Sequence, residues 1–180
     1  MTLEALTSVA QRPKEPRETG SDRSWLEIEN SLGTALPTDY KEYINLYGTG
    51  ELGGMIWIYN AFSNSPTLNL LIQAREVLDI WRETRSMFGE ECPYPLYPEP
   101  NGLLPWGHVD TGAELFWQTS GSPDQWSVVV NESRGPEFQK FEESMSGFLT
   151  SLFAGRLKSA VLPRSLLRKR KRVSFLPLKE

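Results

Sequence analysis

Leu36-Pro37-Thr38-Asp39-Tyr40-Lys41-Glu42-Tyr43-Ile44-Asn45-Leu46-Tyr47-Gly48 is the stretch on which the fold reading turns. Proline is tolerated near a helix start, and Asp39 in the first turn complements the positive end of the helix dipole. Tyr40, Tyr43, Ile44 and Tyr47 recur at i, i+3, i+4 and i+7, so they share one face. The spacing predicts an amphipathic helix with an aromatic inner stripe, ended by Gly48 and Gly50.

Upstream, Ser24 and Glu27 fit a capping box, and Trp25, Ile28 and Leu32 follow at helical spacing up to Gly33. Residues 1–20 are polar, contain Pro13, Pro16 and Gly20, and show no apolar period, which leads us to expect a flexible arm. Downstream, Met55–Tyr59 has strand composition. Leu70, Ala74, Val77, Leu78 and Trp81 predict a third helix ending near Phe88 or Gly89, and the prolines between Cys92 and Gly102 predict an extended loop. Strands are expected at Leu104–Val109, Glu114–Gln118, Trp126–Asn131 and Glu137–Phe141. Ser144 is expected to cap a last helix carrying Met145, Phe148, Leu149 and Leu152. Helices, then short strands, then a helix indicate a single α+β domain at 21–157 with a mostly antiparallel sheet.

Charge is unevenly distributed. Residues 20–155 carry 19 acidic and 7 basic side chains, while residues 156–180 carry 9 basic side chains and one acidic. A body at −12 repels nucleic acid and draws basic partners across a Debye length of about 8–10 Å. The expected tail at 158–180 contains Arg168-Lys169-Arg170-Lys171-Arg172. Such a run binds nucleic acid, acidic proteins or anionic membranes, or lies on the acidic body of its own chain.

Few routes to catalysis are present. The single histidine, His108, and the single cysteine, Cys92, form no triad, CxxC or zinc spacing with the residues around them. His108, Asp110 and Glu114 make a weak metal set. Gly48-x-Gly50-x-x-Gly53 spells a dinucleotide string in the wrong context, after a helix and before none. No cofactor, metal or small-molecule substrate is expected. No leader-like start and no apolar run of about 20 residues occurs, so a cytoplasmic protein that does not enter a membrane is expected.

With those elements in place, Trp25-x-x-Ile28-Glu29-x-x-Leu32-Gly33-x-x-Leu36-Pro37-x-Asp39-Tyr40-Lys41 resembles the N-terminal signature of the SUKH (Smi/Knr) superfamily. Tyr47-Gly48-x-Gly50 is similar to its glycine turn. Leu104-Pro105-Trp106-Gly107, Leu115-Phe116-Trp117 and Pro123-Asp124-x-Trp126-x-Val128-Val129 are similar to its strand core, and Phe148-Leu149-x-x-Leu152 to its closing helix. The resemblance implies a curved antiparallel sheet flanked by helices. It implies a binding role rather than a reaction: bacterial members are mostly immunity proteins that neutralise a toxin domain, often a nuclease, within polymorphic toxin systems. Eukaryotic members look like regulatory or scaffolding modules, which is the alternative here.

A nuclease must hold phosphates, so its cleft is basic, and an acidic face with aromatic anchors would dock there. From charge and loop placement the expected partner-binding residues are Glu51, Asp110, Glu114 and Asp124, with Tyr59 and Trp106 as anchors. Nucleic acid is an expected partner only by way of the basic tail.

Overall fold

The computed structural model describes residues 3–88, 93–132 and 137–178. Its elements are α1 (Leu3–Val9), α2 (Asp22–Leu32), α3 (Thr38–Tyr47), β1 (Gly50–Leu52), β2 (Ile56–Ile58), α4 (Leu70–Phe88), β3 (Leu103–Val109), β4 (Glu114–Gln118), a 3-10 turn (Pro123–Gln125), β5 (Ser127–Asn131), β6 (Phe138–Phe141), α5 (Met145–Phe153) and β7 (Phe175–Pro177). The strands form one open antiparallel sheet in the order β6-β5-β4-β3-β2-β1-β7.

The aromatic stripe of α3 is the centre of the core. Tyr40, Tyr43, Ile44 and Tyr47 are buried, as their period predicts. They face Ile56 and Ile58 of β2, Trp106 of β3, Leu115 and Trp117 of β4 and Val128 and Val130 of β5, with α5 packed alongside. Tyr40 meets Trp25 and Trp117 edge-on at 5.8 and 5.1 Å, and its hydroxyl donates to the Tyr59 carbonyl at 2.7 Å.

The ends of the helices are satisfied from far away in the chain. Pro37 offers α3 no side-chain cap; instead Asp124, 86 residues on, accepts from the Thr38 N–H at 2.6 Å and the Thr38 hydroxyl at 3.1 Å. Asp39 in turn accepts from the Ser146 N–H of α5 at 2.8 Å. Glu29 accepts from the Leu36 N–H at 2.9 Å and pairs with Lys41 at 2.8 Å, which locks the approach to α3. The cap of α2 is Ser21 rather than Ser24: its hydroxyl receives the Ser24 N–H at 3.3 Å.

Both termini depart from expectation. Residues 1–20 were expected to be a free arm, yet α1 packs on α5 and buries Leu3, Leu6 and Ala10. The basic tail contributes β7 to the edge of β1, and Val161, Leu162, Leu166, Val173 and Phe175 are buried. The apolar residues between its charges are too widely spaced to show a period, so only the tertiary contacts reveal them. Ala10 and Val173 bridge in parallel, with the Gln11 N–H donating to the Val173 carbonyl at 2.8 Å. This pairing brings Arg12 and Lys14 to Arg172 around one groove. Gly48 is required where the chain crosses: at φ 69° it forms a bridge with Arg17, whose backbone occupies the space of a β-carbon.

Phe175 ties the tail to the core through an edge contact with Tyr47 at 5.4 Å. Phe175→Ala is expected to cost about 3 kcal/mol in chemical denaturation, and Asp124→Ala about 1 kcal/mol through loss of the α3 cap. A tail lying loosely on the surface would leave Phe175→Ala unchanged.

Candidate functional site

Strand register builds the site. Leu176, Glu51, Trp57, His108, Glu114, Asn131 and Phe138, one from each of the seven strands, stand side by side across the sheet. Side chains alternate along a strand, so this row projects away from the face that carries Ile56, Ile58, Leu115 and Val130. Helix α4 covers part of this second face, where Val77 and Leu78 pack with Leu96, Leu103, Phe116 and Val129. Trp81 of α4 meets Phe138 at 5.3 Å.

Of the expected partner residues, Glu51 and Glu114 belong to this row. Asp110 lies close by in the β3–β4 turn and is exposed; it accepts from the Trp57 indole N–H at 2.8 Å. The other three lie elsewhere. Trp106 is 0% exposed, on the opposite face, between Trp117 and Phe148. Leu104 and Trp106 share the core side by alternation, and the bulge between Pro105 and Gly107 then turns His108 to the other face, which alternation alone does not foretell. Tyr59 is 1% exposed, so it underlies the face rather than offering an anchor. Asp124 is exposed, but it sits at the far end of β4 from Glu114 with its carboxylate on α3.

Three residues of this face were not expected. Trp57 is half-buried in the row, Trp81 is half-buried, and Ile80 of α4 is 61% exposed. Trp57 was legible in the sequence, since Ile56 and Ile58 flank it and alternation turns it to the other side. Trp81 was placed by spacing on the apolar stripe of its helix, but its part in an open face and the exposure of Ile80 carried no signal, because nothing local says that the sheet leaves α4 partly uncovered.

Electrostatics single out Glu114. Burial against α4 and β5 raises its pKa to about 7, and the Tyr59 hydroxyl, donating at 3.3 Å, offsets this only in part. His108, its neighbour on β3, is pushed below its ordinary value by burial, opposed by the Asp110 carboxylate. Both groups therefore resist charging at the site. Among the described residues no group of three His, Cys, Asp or Glu side chains could hold a metal. Cys92 lies outside the described residues.

A raised carboxyl pKa means that the folded state holds its proton more tightly than the unfolded chain. Below pH 4.5 both states keep it; between 4.5 and about 7 stability falls as pH rises, and above 7 the full penalty remains. Glu114→Gln is therefore expected to leave denaturation at pH 4 unchanged. At pH 8 it should stabilise the fold by about 2 kcal/mol, allowing for residual solvent screening. Equal effects at both pH values would remove the assigned burial penalty.

No curated protein matches the sequence. The family model SUKH_6, described as SMI1-KNR4 cell-wall, matches residues 22–149. That span starts at the first residue of α2 and ends inside α5, so it covers the α3 stripe and β1 to β6 but neither α1 nor β7. The matched span exceeds half of the chain and carries the motifs that position the open face, and the chain belongs to the SUKH_6 (SMI1-KNR4) family.

Proposed function

We propose that this protein is an immunity protein: it binds a cognate toxin domain through the second face of the sheet and blocks it without chemistry of its own. Family membership supports the role in general terms. The observation that carries the reading is Glu114. An ionised glutamate at this position destabilises the folded state, its carboxylate accepts a long 3.3 Å hydrogen bond from the Tyr59 hydroxyl, and an isosteric glutamine would avoid the penalty. Groups held at such a cost in an open cleft are characteristic of sites that work on something else.

Glu51, Asp110 and Glu114 give the face its acidity, and Trp57 and Ile80 give it apolar area. A basic nuclease cleft is the complement of that combination. Long-range attraction would speed encounter, and the aromatic and aliphatic groups would hold the docked complex. The basic run, exposed along most of its length, is tied down at the β1–β2 turn, where Arg170 donates to the Gly53 carbonyl at 2.5 Å, and Leu178 beyond it reaches the pocket lined by Trp57 and His108. No helix of the described residues is long and apolar enough to cross a membrane. A cytoplasmic site of action fits this reading.

The test is co-expression with the toxin domain encoded by the neighbouring gene, followed by purified binding kinetics. Rescue of growth is expected, and Glu51→Lys with Asp110→Lys should slow association at least tenfold at low salt while changing dissociation little. Association rates unmoved by the double reversal would rule out this face as the steering surface. A partner found only in cells lacking any toxin would favour the scaffolding role.

A further inference from the structure

We propose that the cleft between α4 and the β3–β4 turn is a receptor for one lysine side chain of the partner. The proposal rests on the binding role argued above and names the chemistry of its central contact. The cleft has a volume of about 230 Å³, below the usual range of small-molecule sites and matched to a single side chain. Its walls are Val77, Ile80 and Trp81, with Gly112 at the turn; Glu114 and Asn131 supply the polar floor. Ile80, 61% exposed, stands where the aliphatic stem of an incoming residue would lie.

The floor distinguishes among occupants. One carboxylate oxygen of Glu114, Oε2, already receives the Tyr59 hydroxyl, and among the described residues Oε1 is the unengaged oxygen. Asn131 is buried, and its amide nitrogen donates to the Glu137 carbonyl at 3.1 Å. A compact ammonium needs only one carboxylate oxygen, while a guanidinium fork is best matched by both. An anionic or neutral occupant would leave the ionised carboxylate buried and uncompensated.

The charged surroundings favour a cation too. Facing or flanking Glu114 are Tyr59 just after β2, His108 on β3, Asp110 in the turn and Glu132 just after β5. On α4, Glu76 lies close enough to act on Tyr59 through charge. Among the described side chains, the α4 arginines Arg75 and Arg82 are both engaged with Asp79, at 3.8 and 2.8 Å. Glu114 carries its proton at mildly acid pH, so a cation entering at pH 6 must displace it into the buffer. Occupancy is thus tied to pH, tightening as Glu114 ionises.

The probe is n-butylammonium, with n-butylguanidinium and 1-butanol for comparison, added to the full chain. Binding is read from the Trp81 indole resonance by nuclear magnetic resonance. Butylammonium should saturate this signal, bind about tenfold tighter at pH 8.5 than at pH 6, and exceed both comparison probes. Glu114→Gln, which should fold at least as well as the parent, should weaken it tenfold or more and flatten the pH profile. His108→Asn should keep most of that profile, which separates the carboxyl from the imidazole. Equal binding of 1-butanol, tighter binding of butylguanidinium, or an unaltered Glu114→Gln would overturn the assignment. Failure of the probe with toxin association still slowed by reversal at Glu51 and Asp110 would sink the lysine receptor alone. A saturable probe in a protein that rescues no cell would instead sink the immunity role.

Discussion

The Tyr40 hydroxyl, buried and donating to the Tyr59 carbonyl, is the contact on which the rest of the molecule depends. Burial without a partner would cost such a phenol a few kcal/mol, so the bond sets α3 at one depth and one rotation against the sheet. Trp25 and Trp117 close on the ring from two sides, which adds α2 and β4 to the same point. The carbonyl it bonds belongs to the residue whose own hydroxyl reaches Glu114 through to the other face. One residue, Tyr59, therefore couples the core to the open side. The aromatic helix and the candidate site are parts of a single arrangement.

The two faces of the sheet are built on opposed rules. On the α3 side, aromatic and aliphatic groups are buried in one cluster, and distant carboxylates cap the helices. Asp124 and Asp39 are exposed or half-buried acids whose negative charge is already spoken for by helix N-termini. On the α4 side, Glu51, Asp110 and Glu114 share a face with an exposed isoleucine and a half-buried tryptophan. An acidic surface by composition thus resolves into acids that hold the fold together and acids that face outward. Net charge of −12 over the body does not distinguish the two kinds.

The terminal segments extend the family domain rather than decorate it. The matched span leaves the edge of β1 without β7 and leaves α5 without α1. An open strand edge is a template for unwanted pairing, and β7, although only three residues long, occupies it. The same excursion gathers cations from both ends of the chain around one groove. The molecule is consequently bipolar, with its sheet face acidic and its terminal crossing basic.

Much of this was readable from local pattern. The i, i+3, i+4, i+7 period of Tyr40 to Tyr47, the glycine stops, the β-branched runs and Ser144 before Met145 foretold α3, α4, α5 and β2 to β6, because these signals act within a few residues of each other. The family motifs lie in those same segments. What local pattern leaves open is whatever depends on who sits opposite. Asp124 as a cap 86 residues from its helix, His108 turned outward by a bulge, and β7 drawn from a basic tail are all outcomes of long-range contact. The candidate site belongs to that second class. The sequence by itself determined the α+β domain, its core stripe and its acidic balance, since periodicity and charge are properties of the chain. Only the tertiary structure decided which acids are open and what surrounds Glu114, because burial and register exist only once the strands are side by side.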